Sequence, residues 1–313
     1  MTFDPVLVIG FGLGVGVLVG MTGIGGGALM TPLLVLFVGT PPITAVGTDL
    51  AYGAVTKTVG AIKHWRQGTV DFGLSCWMAV GSVPAAIGGV YVVGILEHNF
   101  GGKQFDTVML YLLAGALALT GAVTLIRAIF LKQLLARERD TFAMQTKHKV
   151  AAIALGVSVG FVLGITSAGS GSLIALGLIL IFRLTPHRVV GTDIFHAAGL
   201  LWAAAIAHIV AGNVDYALAG TILIGSVPGV WFGSHLSVRL PAGTLRTVLG
   251  VVLIGAAMGL GSKAGLPIPP VAIALVPGVL AAIVLWKRFR DPVRRSVADT
   301  EAKEPRAPGD GAR

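Results

Sequence analysis

The chain has 313 residues, of which 55% are hydrophobic and 12% charged, and its mean hydropathy is +0.87. Too few polar groups are present to cover a water-soluble fold of this size, so the composition excludes one and points to a bilayer. The net charge of +9 does not signal nucleic-acid binding, because fourteen of the 23 Lys and Arg residues fall in two places, Arg127 to Lys149 and Lys287 to Arg313, a pattern of segments retained in the cytoplasm.

In chain order, Met1-Thr2-Phe3-Asp4 lacks the basic region of a cleavable signal, so the first apolar segment, 5 to 21, is expected to persist. Further apolar segments read at 28 to 39, 43 to 62, 72 to 95, 107 to 131, 150 to 166, 171 to 182, 189 to 211, 215 to 238, 244 to 261 and 269 to 286. A span needs roughly 20 residues, so 28 to 39 and 171 to 182 are too short. Each follows a Gly/Ser-rich break and reads as a half-helix. Cys76 is the single cysteine and no Cys/His cluster has metal spacing, so neither a disulfide nor a metal or other cofactor is expected. The tail, with Pro292, Pro305 and Pro308 among charges, reads as disordered.

Shifted by 144 residues, the stretch from Gly20 to Pro84 aligns with Gly164 to Pro228 without a gap. The stretch Gly20-Met21-Thr22-Gly23-Ile24-Gly25-Gly26-Gly27 falls on Gly164-Ile165-Thr166-Ser167-Ala168-Gly169-Ser170-Gly171, and Gly47-Thr48-Asp49 falls on Gly191-Thr192-Asp193. His64 falls on His208, Asp71 on Asp215, and Gly81-Ser82-Val83-Pro84 on Gly225-Ser226-Val227-Pro228. The expected organisation is all-α and polytopic. A first membrane repeat covers 1–131, a basic cytoplasmic loop 132–149, a second repeat 150–261, a final transmembrane helix 262–288 and a cytoplasmic tail 289–313. Five apolar segments separate corresponding points, and an odd number turns the second copy upside down. Inverted repeats that exchange conformations give alternating access, so transport is the function implied.

The substrate site is expected where the two breaks meet near the midplane, because non-helical backbone at that depth must line a cavity or be buried in protein. Gly25, Gly26, Gly27, Gly169 and Gly171 free the backbone N–H groups at half-helix starts, which attract anions. Thr22, Thr166, Ser167, Ser170 and Ser172 offer hydroxyl donors. Close packing is the competing reading of these glycines, as it is for Gly10, Gly12, Gly14, Gly16 and Gly20. Gly23, Gly25 and Ala28 superficially match a dinucleotide fingerprint, but no strand precedes them.

Asp49 and Asp193 are candidates for coupling or gating, since a carboxylate in hydrocarbon is costly. Tyr52 shares a face with Asp49, and His196 with Asp193, by i to i+3 spacing. The dipeptides Thr48-Asp49 and Thr192-Asp193 also read as helix starts, in which case the acids are caps; Asp71 and Asp215 read as caps outright. Inversion suggests cross-repeat pairs of His64 with Asp193 and of His208 with Asp49, against the plainer role of interfacial histidines. Lys57 either meets an anion or snorkels to the inner interface. Pro84 and Pro228 are expected to bend their helices.

Together, the duplicated Gly-Thr-Asp, the Met-Thr-Gly-Ile-Gly-Gly-Gly break and the Gly-Ser-Val-Pro element resemble the TauE/SafE family, the sulfite-exporter type of permease, over roughly residues 6 to 260. The resemblance implies a multi-pass permease of a bacterial or archaeal inner membrane carrying a small sulfur-containing anion such as sulfite or an organosulfonate without ATP. Relatives that take up thiosulfate use several cysteines along the path, whereas this chain has Cys76 alone. The partners expected are the anion, the lipid bilayer and protons, with no nucleic acid. An anion or proton channel, or a carrier of a different small organic anion, is the alternative. No Walker loop, nucleophile triad or catalytic acid pair suggests an enzyme.

Overall fold

The computed structural model describes residues 4–22, 27–134, 144–169, 171–237 and 242–290. Eleven α-helices occur among them: α1 Pro5–Thr22, α2 Gly27–Leu33, α3 Pro42–Arg66, α4 Phe72–Phe100, α5 Gly102–Leu134, α6 Thr146–Thr166, α7 Ser172–Leu180, α8 Pro186–Val210, α9 Tyr216–Ser237, α10 Ala242–Lys263 and α11 Pro270–Arg290. Short α2 runs into a π-helical turn, Leu34–Val38, closed by Gly39 at φ 78°. Thus both segments expected to be half-helices are short. Six helices are long and apolar enough to cross a membrane, and large apolar side chains such as Val210 (83% exposed) and Tyr91 (72%) remain on the outside of the described structure. Lipid is the solvent that suits such a surface. Residues 135–143 of the basic loop and the tail beyond 290 fall outside the described residues.

Helix starts follow local chemistry. Pro42 and Pro186 open α3 and α8, where a missing N–H and a fixed φ are harmless. Asp71 Oδ1 accepts from Leu74 N at 3.0 Å and Asp215 Oδ1 from Leu218 N at 2.9 Å, so both aspartates cap the following helices as expected. Gly68 and Gly212, at φ 67° and 76°, make the preceding turns. The capping reading of Asp49 and Asp193 is corrected: both sit about two turns inside helices that began at the prolines, so their N–H neighbours are already bonded in the helix.

Small residues let the helices touch backbone to backbone. On α6, a Cβ at Gly156, Gly160 or Gly164 would strike the carbonyl oxygen of Met78, Ser82 or Ala86 on α4. The same contacts recur 144 residues on, where Gly12 and Gly16 of α1 meet Ile222 and Ser226 of α9. Gly81 and Gly89 meet Ile153 and Phe161, and their equivalents Gly225 and Gly233 meet Ile9 and Val17. In both interfaces the numbers rise together, so α1 runs parallel to α9 and α4 parallel to α6. By contrast, Gly53 faces Leu201 while Gly60 faces Ile194, and Gly121 faces Ile254 while Gly250 faces Leu125. Those registers make α3 antiparallel to α8 and α5 antiparallel to α10. Between α3 and α8, Trp202 Nε1 donates to Thr58 Oγ1 at 2.9 Å, a bond between positions 144 apart. One apolar core joins both halves, with Leu50 and Tyr52 of α3 beside Leu200 and Leu201 of α8.

These contacts tolerate no added methyl. Gly160→Val should lower stability by about 1 to 3 kcal/mol or more through overpacking, read as a lower Tm in detergent. Gly199→Ala, where nothing lies within 4 Å of an added Cβ, should leave Tm near that of the wild type.

Candidate functional site

The duplicated Gly-Thr-Asp divides into three tasks. Gly47 and Gly191 admit the opposite connection, since a Cβ there would collide with the Asn213 and Thr69 carbonyl oxygens. Thr48 Oγ1 accepts from Asp215 N and Thr192 Oγ1 from Asp71 N, each at 3.0 Å. Each helix thereby anchors the N-cap of the other half. That leaves the two aspartates free to point inward, 0% and 4% exposed.

Asp49 meets the break of the second copy. After Thr166 the chain turns through Ser167 in the left-handed region at φ 57°, with Gly169 at φ 107°. A serine in that region stores strain that the surroundings must hold. Ser167 Oγ donates to Asp49 Oδ2 at 2.9 Å and Thr31 Oγ1, on α2, donates to the same oxygen at 2.6 Å. The other oxygen, Oδ1, and the hydroxyl of Tyr52 one turn further on are both buried, the latter beside Ser226. Thr166 turns back on its own helix, donating to Val162 O at 2.6 Å. Gly171 precedes α7 as its N-cap residue.

A second cluster surrounds Asp193. Lys57 of α3, 7% exposed, lies within Coulombic range of both Asp193 and Asp49. Arg127 of α5, 4% exposed, is in range of Asp193 and points Nη1 at the carbonyl oxygens of Gly171 (3.5 Å) and Ser172 (3.4 Å). The buried charged side chains among the described residues are these four, two carboxylates and two cations. Their formal sum is zero, which limits the penalty of holding charge in a low dielectric. The snorkelling expectation for Lys57 is corrected: α3 continues about two and a half turns beyond it to Arg66, so its side chain stays among buried charges.

His196 is fully engaged. Its Nδ1 faces the Ser75 carbonyl at 3.3 Å and must donate there, so in the neutral ring Nε2 accepts from Ser82 Oγ at 3.2 Å. Ser82 of the Gly-Ser-Val-Pro element therefore orients a site histidine. Pro84 and Pro228 lie inside α4 and α9. Of the two readings of His64 and His208, the cross-repeat pairs with Asp193 and Asp49 do not form. His64 Nδ1 lies 3.0 Å from Thr69 Oγ1, and His208 Nε2 donates to Gly164 O at 3.0 Å with Asn213 Nδ2 at 3.5 Å from Nδ1. Both histidines end their helices and serve the turn that follows.

The structure thus gathers Asp49, Tyr52, Ser167, Asp193 and His196 in the interior with Gly169 and Gly171. Gly25, Gly26 and Ser170 lie outside the described residues, as does the side chain of Thr22, while Gly27 opens α2. Sequence reasoning missed Thr31, Thr120, Thr124 and Arg127. For α5 a signal existed, because Thr120, Thr124 and Arg127 at i, i+4 and i+7 form one polar stripe on an apolar helix.

A bundle of membrane-length helices around buried compensated charges defines a polytopic membrane protein with a polar interior site. The chain belongs to the TauE/SafE family, whose model, described as "Sulfite exporter TauE/SafE", matches residues 8–262. It is 41% identical over 251 residues to the "Probable membrane transporter protein YjnA" of Bacillus subtilis (strain 168), covering 80% of this chain and 96% of that protein. Similarity extends to YdhB of the same organism, with the same description, at 30% identity over 75% of this chain and 91% of that protein. A protein of Xylella fastidiosa (strain Temecula1 / ATCC 700964) called "Probable membrane transporter protein" is 28% identical over 82% of this chain and 95% of that one. No solved structure matches the chain.

Proposed function

We propose that the chain is a secondary transporter, working as an exporter, of a small sulfur-containing anion such as sulfite or an organosulfonate. The observation that carries the anion reading is the pair of hydroxyls, Thr31 and Ser167, converging on one carboxylate oxygen of Asp49. Both hydroxyl protons serve Asp49, which shows that the break is polarised to hold an oxyanion, and the uncapped N–H groups at the adjoining start of α7 remain for a soluble one. Alternating access between inverted repeats is the mechanism we favour. It is supported by contacts that interchange under the 144-residue shift, together with antiparallel packing of the corresponding helices α3 and α8 and of α5 and α10. Asp49 and Asp193 are the groups assigned to proton coupling. The excess of Lys and Arg in the basic loop and tail supports a cytoplasmic C-terminus for a protein of a bacterial inner membrane.

The test is reconstitution into liposomes with sulfite, sulfate, thiosulfate, sulfoacetate and acetate at two pH values. Saturable flux of a sulfur oxyanion that collapses when the proton gradient is dissipated is expected. Single-channel currents would replace the carrier by a pore, and absence of flux for every anion would end the reading.

A further inference from the structure

The side chain of Arg127 and the start of α7 form a feature that occurs in one half only. Contacts across α5 and α10 interchange Gly121 with Gly250 and Leu125 with Ile254. By that register Thr120, Thr124 and Arg127 correspond to Leu249, Leu253 and Ala256, all apolar. Nothing in helix packing requires the polar stripe, since apolar residues fill the equivalent interface.

Hydrogen bonds fix how the stripe is set. Thr124 Oγ1 donates to Thr120 O at 2.7 Å, so its single proton is used, and Ser172 Oγ must donate to Thr124 Oγ1 at 2.7 Å. Thr120 Oγ1 stays buried with no partner, 4.0 Å from where a Cβ on Gly169 would stand, and is thus turned to the break. Arg127 Nε is likewise buried and unpartnered, while Nη1 leans on the carbonyls of Gly171 and Ser172. No side chain caps the nine residues of α7, so its N-terminus presents its dipole to the same place. Charge is uneven as well. Lys57 and Arg127 both lie in range of Asp193, and Arg246 of α10 adds positive charge near Arg127.

We infer that Arg127, Thr120 and the N-terminus of α7 form the subsite that binds the oxyanion head of a singly charged substrate, a sulfonate or hydrogen sulfite. The inference rests on the anion-transport reading above and names the side chains that hold the anion there. Arg127 supplies charge and a fork of donors, Thr120 one further donor, and Asp193 with Lys57 holds the remaining charge balanced. Asp49, Asp193, Lys57 and Arg127 balance one another, and the further positive charge of Arg246 near Arg127 is the one left for a negative substrate.

The experiment measures binding of methanesulfonate, a fixed monoanion, to the purified full chain by calorimetry, alongside its flux in liposomes. Arg127→Gln should raise Kd about tenfold or more, Arg127→Lys less, and the nearly isosteric Thr120→Val several-fold. In an Arg127→Gln background, Asp193→Asn removes the carboxylate left in excess, restores the charge balance of the buried set and should recover part of the affinity. A folded Arg127→Gln protein with wild-type Kd overturns the subsite; if that variant does not fold, unchanged Kd in both Arg127→Lys and Thr120→Val does so. Failure of the wild type to bind methanesulfonate also overturns it. Binding that Arg127→Gln weakens, without flux by the wild type, would leave the subsite standing and remove the transport reading instead.

Discussion

Lys57→Met is expected to remove most folded protein from the membrane and to abolish transport in what remains. The substitution keeps the length of the side chain but leaves Asp49 and Asp193, both buried, with Arg127 as the one buried cation. Removing one partner from a buried charge set costs about 3 to 5 kcal/mol, because the group left behind has neither water nor a counter-ion. Total stabilities of folded domains are only about 5 to 15 kcal/mol, so the loss should be visible as reduced yield and a Tm lowered by several degrees in detergent. Combining Lys57→Met with Asp193→Asn restores neutrality and should return yield and Tm without returning flux. A single variant with wild-type Tm would mean that Lys57 is not part of the buried charge balance.

Asp49→Ala is expected to be the most damaging change at the break itself. Without the carboxylate, the hydroxyls of Thr31 and Ser167 lose their shared acceptor in a site closed to solvent. Each buried donor left unsatisfied costs about 1 to 3 kcal/mol. The left-handed Ser167 also loses the bond that helps hold it, so α6 and α7 should lose their relative placement and flux should fall below detection. Asp49→Asn separates structure from charge. Its amide oxygen still accepts from both hydroxyls, so the variant should keep the break in place and lose less Tm than Asp49→Ala, while flux becomes insensitive to an imposed proton gradient. If Asp49→Asn transports with an unchanged response to that gradient, proton coupling must be sought at Asp193 or elsewhere.

Helix positions were legible from hydropathy because each depends on local residues. The apolar run at 28 to 39 became α2 with its π-helical turn, and 171 to 182 became α7 with the turn after it. Asp71 and Asp215 were readable as caps, since an N-cap needs only a short acceptor before a helix. The same rule misled at Thr48-Asp49 and Thr192-Asp193, where Pro42 and Pro186 had already opened the helix. Local propensity offers two starts within two turns, and the proline start leaves the threonine hydroxyls available to bond the other half of the chain.

The sequence by itself determined the bilayer as solvent and the duplicated order of helices and breaks, because hydropathy, glycine breaks and repetition are properties of neighbouring residues. Only the tertiary structure decided the partners: Asp49 with Thr31 and Ser167, positions 18 and 118 residues away, His196 with Ser82 and the Ser75 carbonyl, and Lys57 with Arg127 around Asp193. Such pairings are selected when helices distant in sequence close on one another, where every buried charge and donor must find a complement that local sequence does not specify.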